Sequence, residues 1–345
     1  FFPEVFVSRF PCSTVNGVNA VLDKTFLYER TPSLIPDYIP TYVALAEVLQ
    51  PINWNPGDTV VFDGTYFTEQ IIDRLPDGFR AERLYENSED PRWADTAIPE
   101  TRDTAIDSIN AGFGIVHHVG HGFRNNLSVG LGGLEIIRED ADAFTNLTEP
   151  FFFFGINCNS ASLDFDSLAE HFLCNPGRGA FGYMGSTRFD FPGSDDPYQN
   201  EFFRLAFLGT PVSQAHALAK TLSIPNSLVD NANRWHQMSL VALCEPLVRL
   251  RTALPFVPAV VHPPSLTLGE PVGVTVMKSG APLEGARVTL YKTGDVFSTG
   301  LTDAAGSANL ACPADGEGTV SLTVTAANAV PYSADVPVSA PAAAF

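Results

Sequence analysis

Phe151-Phe-Phe-Phe-Gly-Ile-Asn-Cys158 is the stretch on which the reading of the fold turns. A half-buried strand would alternate apolar and polar residues. This run is apolar without interruption up to Asn157, as expected of a strand covered on both faces in a parallel sheet. Working outward, Phe113-Gly-Ile-Val-His-His118 reads as a second such strand, and 4–9, 59–63, 82–85 and 179–184 as further ones. Between them lie helical segments: one N-capped by Ser13 or Thr14 and ending near Arg30, then 66–75, 166–173, 199–207, 212–222 and 229–243. Strands alternating with helices predict an α/β fold with a mostly parallel sheet and helices on both faces.

The pattern changes at the Pro-rich stretch Leu254-Pro-Phe-Val-Pro-Ala259. Beyond it, short strands at 271–276, 286–291, 307–310 and 319–324 are separated by turn-rich segments, which predicts an all-β sandwich. Two domains are therefore expected, 1–254 and 255–345.

Composition narrows the function. With 20 basic against 39 acidic residues the net charge is −19, which disfavours a nucleic-acid partner or an anionic membrane surface. No apolar run is long enough to span a membrane. The chain opens at Phe1 with neither a Met nor a signal-peptide pattern, as expected of a mature product or a fragment. The five cysteines, an odd number without tight spacing, argue against a disulfide framework; Cys174, Cys244 and Cys312 read as packing residues. No zinc or phosphate-loop motif occurs, so no metal or cofactor is expected, and Gly193-Ser-Asp-Asp196 reads as an acidic turn without a metal.

Two strand ends carry chemistry. His118-Val-Gly-His-Gly122 places His121 between glycines that allow a sharp turn and a close approach to the main chain. Asn157-Cys158-Asn159-Ser160 places a thiol just past the Phe-rich strand. Ligands of open α/β sheets bind outside the carboxyl ends of strands, so both groups belong on one edge. A free thiol is only about 3% ionised at pH 7, and an imidazole nearby can activate it and then protonate a leaving amine. The N–H groups of Gly122 and Cys158 are the candidate oxyanion donors. Asp63 either orients the imidazole or caps the helix after it, and His117 reads as structural.

Read together, these motifs resemble the gingipain-type cysteine peptidases, relatives of caspases and legumains. The resemblance covers about 3–250: Pro3-Glu-Val-Phe-Val-Ser-Arg-Phe-Pro11, Asp23-Lys-Thr-Phe-Leu-Tyr-Glu-Arg30, the turn at 118–122, the strand-end cysteine, Ser167-Leu-Ala-Glu-His-Phe-Leu173 and Gly179-Ala-Phe-Gly-Tyr-Met-Gly-Ser-Thr-Arg188. It implies a caspase-like fold with an immunoglobulin-like domain after it, and a first subdomain missing here. It also implies a cysteine endopeptidase acting on polypeptides outside the cell or at its surface. As the alternative to a metal-free turn at Gly193-Ser-Asp-Asp196, it adds a structural calcium ion on the oxygens there. The family's dyad falls on His121 and Cys158, its oxyanion hole on Gly122 and Cys158, and its assisting acid on Asp63. Its substrate pocket maps to the loop with Phe189 and Asp190, and Asp63 and Glu69 are further candidates for a pocket acid. Where many members continue with Gly-x-Phe-Asp after the cysteine, this chain has Asn159-Ser-Ala-Ser-Leu-Asp164, and Cys244-Glu-Pro246 stands for Gly-Asp-Pro. These departures leave a second reading open, a catalytically degenerate module with a secretion or surface-assembly role.

Overall fold

The computed structural model describes residues 3–30, 36–131, 133–223, 231–294, 296–311 and 316–340. The chain divides into two compact units, Phe1–Leu254 and Pro255–Phe345.

The first unit is built on a seven-stranded sheet. In chain order its strands are β1 (Thr41–Ala46), β2 (Arg80–Tyr85), β3 (Ala97–Pro99), β4 (Ile115–Val119), β5 (Phe151–Ile156), β6 (Ala180–Ser186) and β7 (Leu240–Cys244). Their order across the sheet is β7-β6-β5-β4-β1-β2-β3, parallel throughout except for β7. Strands β1, β4, β5 and β6 are buried at every position, which is why their sequences do not alternate.

The helices are α1 (Val15–Arg30), α2 (Thr65–Ile72), α3 (Arg102–Ala111), α4 (Arg138–Asp142), α5 (Leu168–Cys174), α6 (Pro192–Phe207), α7 (Val212–Ser223) and α8 (Ala232–Ser239). The four phenylalanines of β5 divide between two cores. Phe152 and Phe154 pack on Phe202 of α6, while Phe151 and Phe153 pack on Phe172 of α5. Successive strand residues point to opposite faces, so one apolar run serves both.

Several expectations are corrected. The segment 4–9 is not a strand, although the Arg9 N–H does bond the Ala242 carbonyl of β7. Residues 59–63 do not form a buried sheet strand. Only Phe62–Asp63 is extended, pairing with Val48–Gln50 outside the main sheet, and Val61 is 72% exposed. Sequence reading passed over the central strand β1. The long helix expected over 229–243 is the short α8 followed by β7; its first residues lie outside those described, and its last four pair antiparallel with β6. Cys174 packs against the core as expected, but as half of a disulfide with Cys12 that was not foreseen. Cys244 is buried and free, and Cys312 lies outside the described residues.

The second unit packs two strand-rich sheets around one core. Val272, Val274 and Val276 face inward from one, and Val288, Leu290, Val320, Leu322 and Val336 from the other. Among the described residues its strands pair antiparallel except Leu266–Thr267 with Tyr332–Ser339, and an isolated parallel bridge joins Phe256 to Ala329.

Candidate active site

The chain runs from β1 to β2 and β3 on one side, then returns to place β4 on the other side of β1. Such a reversal opens a crevice at the carboxyl ends of the two strands. Glu47 follows β1 and His121 follows β4; the next strand over, β5, leads into Cys158. A cleft of about 380 Å³ opens there, lined by Glu47, Ile52, Trp54, Glu86, His121 and Phe123 among others.

His121 and Cys158 each lie two residues beyond a paired position, because Val119 and Ile156 are register partners on adjacent parallel strands. The Gly120 N–H bonds the Ile156 carbonyl at 3.2 Å. The two turns then touch: a Cβ on Gly122 would sit 3.3 Å from the Cys158 carbonyl oxygen and 3.2 Å from the Asn157 Cβ. A side chain at 122 would press the turns apart, so the second glycine of the motif has a steric reason.

Each group is held by a network. Glu47, 3% exposed, accepts the His121 N–H at 2.6 Å on Oε2. Burial lifts its carboxyl to about 8, against hydrogen bonds from Ser128 and the His121 main chain. His118 is sealed in. Its Nε2–H donates to the Ser128 carbonyl at 2.8 Å, which leaves Nδ1 to accept from the Asn157 amide at 3.2 Å. Asn157 in turn accepts from Ser160, whose hydroxyl receives Tyr183 at 2.8 Å. His117 faces the opposite core, with its Nδ1 on the Tyr42 hydroxyl.

Cys158 is half-buried, and its sulfur accepts the Asp190 N–H at 3.3 Å. Burial pushes the thiol up, and the charges of Asp190 and Asp195 add to this, while the Asp190 backbone opposes it. Burial also lowers His121, against the Leu49 carbonyl. Both shifts favour the neutral forms of thiol and imidazole. The Cys158 N–H and His121 Nε2 have no hydrogen-bond partner among the described residues. Asn159 adopts φ 60°, a left-handed conformation that asparagine tolerates nearly as glycine does. The residue standing where many gingipain-type enzymes carry glycine thus keeps the turn.

The other candidates lie as follows. Asp63 stands one residue before Gly64, the N-cap of α2, and its carboxylate accepts the Thr65 N–H (3.0 Å), Asn87 (2.8 Å) and Arg92 (3.2 Å). Glu69 is taken by Arg83 and the Tyr85 hydroxyl. Asp190 is 8% exposed, with its carboxylate on the Asn157 N–H and beside His236, so it is not open to a substrate group. Phe189 is 62% exposed, and its carbonyl accepts the Trp235 indole. The stretch Gly193-Ser-Asp-Asp196 is the first turn of α6 rather than a loop; Asp195 is buried in it, and Asp196 accepts Gln70. Glu47 and His236 were missed by sequence reading. An acid directly after an apolar six-residue segment was the available signal for Glu47; His236 gave none.

Comparison with known proteins agrees with this architecture. The model of Peptidase family C25 matches residues 1–251. The chain belongs to this family of cysteine peptidases. No curated protein sequence matches it. Among solved structures, the complex of the pro- and mature domains of RgpB from Porphyromonas gingivalis superposes with a TM-score of 0.77 at 18% identity, covering 98% of this chain and 78% of that one. The Arg-specific cysteine proteinase gingipain R gives 0.77 at 18%, with 98% and 76% covered. A structure titled only as a protease gives 0.73 at 16%, with 98% and 75% covered. At such identities the likeness is one of fold. Among the described residues of this C25 chain, no helix is long and apolar enough to cross a membrane.

Proposed function

We propose that this chain is a cysteine endopeptidase in which Cys158 is the nucleophile and His121 the general base. One observation carries the reading: the turns after two register-paired strands meet at Gly122 and Cys158, with a thiol on one and an unbonded imidazole nitrogen on the other. Glu47 takes the assisting place that the sequence assigned to Asp63, since it is Glu47 that bonds the His121 main chain.

The sulfur attacks the scissile carbonyl carbon as its proton passes to His121 Nε2. The N–H groups of Cys158 and Gly122 receive the oxyanion, a contribution of about 3 kcal/mol for one such donor. The C–N bond then breaks, and His121 protonates the departing amine. Water, deprotonated by His121, opens the thioester, releases the new carboxyl end and restores the thiol. The cleft beside His121 would receive the polypeptide. The Cys12–Cys174 disulfide supports action outside the cell or at its surface, where such bonds persist.

The test is alkylation of the folded protein with iodoacetamide or a peptidyl chloromethyl ketone, located by mass spectrometry. Label is expected on Cys158 and not on buried Cys244, and it should vanish in Cys158→Ala along with peptide cleavage. His121→Ala is expected to lower kcat by about 10²–10⁴-fold. Cleavage that survives Cys158→Ala would refute the reading.

A further inference from the structure

Directly behind the sulfur lies a cluster that the mechanism does not use. Asp190 comes from the loop after β6, Asp195 from the first turn of α6 and His236 from α8; the facing side chains are 0–1% exposed. His236 Nε2 lies 3.1 Å from Asp190 Oδ1, and its Nδ1 lies 2.9 Å from Asp195 Oδ1. The Phe191 N–H is shared between Asp190 Oδ1 (3.2 Å) and His236 Nε2 (3.0 Å). The carboxylates meet opposite nitrogens of one ring. The contact between His236 Nδ1 and Asp195 lacks hydrogen-bond geometry, and one polar atom from each of the three side chains lies within 4.8 Å of the others, so they form a single buried cluster.

Asp190 joins this cluster to the nucleophile twice. Its Oδ2 accepts the Asn157 N–H at 3.0 Å, fixing the residue before the cysteine, and its own N–H points at Cys158 Sγ from 3.3 Å. Two carboxylates and an imidazole sealed from water favour the least net charge, so protons are held between them. In line with this, burial and their mutual repulsion raise Asp190, burial raises Asp195 to about 7, and burial lowers His236. Lys220 of α7 lowers His236 further, and the charges of Asp190 and Asp195 both reach Tyr198 of α6.

We infer that Asp190, His236 and Asp195 are positioning residues for the nucleophile, clamping the Asp190 main chain against the sulfur and setting the charge that the thiol meets. The inference rests on Cys158 being the nucleophile. The arrangement links α8, far along the chain, to the reactivity of a residue just past β5.

The experiment follows the pH dependence of iodoacetamide alkylation of Cys158 in the full chain, with kcat and KM. Asp195→Asn keeps the volume and removes a carboxyl that, raised to about 7, carries negative charge only from about neutral pH upward. It should move the alkylation profile to lower pH and raise the rate at pH 7 by about 3- to 10-fold. His236→Asn should loosen the Asp190 clamp, moving the profile to higher pH and lowering kcat with KM nearly unchanged. Should His236→Asn fail to fold, Asp195→Asn decides by itself. Folded variants with a wild-type alkylation profile would overturn the inference while leaving Cys158 as nucleophile. Absence of label on wild-type Cys158 would instead strike the functional reading beneath it.

Discussion

Glu100 is 2% exposed, and neither of its carboxylate oxygens makes a hydrogen bond of good geometry among the described residues, the Gly130 N–H lying near without one. Burial holds its carboxyl well above the usual range; repulsion from Glu47 and Glu86 adds to this, and the Gly130 N–H opposes it. The folded state therefore binds a proton that the unfolded state releases above about pH 4.3. The stability from this group is present at acid pH and is lost as pH rises through the raised value. Glu47 acts in the same sense between its ordinary 4.5 and about 8. Glu100→Gln, which cannot ionise, should flatten the fall in Tm between pH 6 and pH 9; an unchanged slope would show that Glu100 is not its source. A second residue-scale expectation concerns Asn159. Because φ is 60° there, Asn159→Gly should leave Tm within a degree or two, whereas a β-branched Asn159→Val should cost about 1–3 kcal/mol by chemical denaturation. At this scale His121 and Cys158 were legible because each stands just past an apolar run. Glu47 was not, since its strand is six residues long with two alanines and follows a Pro-punctuated stretch. Asp63 ends a run with the right residue types, but that run pairs outside the main sheet, and only contacts distant in sequence decide this.

Among the elements, α1 is fastened to α5 by two devices. Lys24, 1% exposed, donates to the carbonyls of Phe172, Leu173 and Arg178 at 3.2, 2.7 and 2.7 Å. Burial lowers its pKa to about 7, while three acceptors match the three donors of its ammonium form. The Cys12–Cys174 disulfide ties the segment just before α1 to the end of α5, across 162 residues. Lys24→Met preserves bulk but strands the carbonyls at the end of α5, and should cost about 2–4 kcal/mol in urea unfolding. Cys12→Ala/Cys174→Ala should cost about 2–5 kcal/mol, as expected for closing so long a loop. If both changes leave the midpoint where it was, the clamp is not a source of stability. Part of the element order was legible from hydrophobic pattern: β2, β4, β5, β6 and helices α1, α2, α5 and α7 lie within a few residues of their expected places, whereas β3, α3 and α4 were not foreseen and α6 begins seven residues before the helix expected from 199. The miss at β7 has a physical cause. Segment 240–244 is apolar enough for a buried helix or a buried strand, and pairing with β6 is what selects the strand. The disulfide was hidden for a related reason, since an odd cysteine count says nothing about which two sulfurs the packing of α1 on α5 brings together.

For the whole molecule, the alternating burial of the last unit is the feature with consequences. Pro271–Lys278 and Gly318–Thr325 bury alternate residues, the period-two signature that sequence reading used. All the core side chains of this unit come from between Val260 and Val338, so its apolar interior is complete within Pro255–Phe345. A segment that closes its own core against water should fold without help from the rest of the chain. Expressed alone, 255–345 should unfold in urea in one cooperative transition with a slope of about 1 kcal/mol/M, its far-UV signal tracking its fluorescence. The complementary piece, 1–254, holds β1 to β7 and every residue assigned to the reaction. It should therefore keep its labelling of Cys158 at a rate within about twofold of the full chain. Gradual, non-cooperative melting of the first piece, or loss of labelling from the second, would mean that the two cores depend on one another for stability.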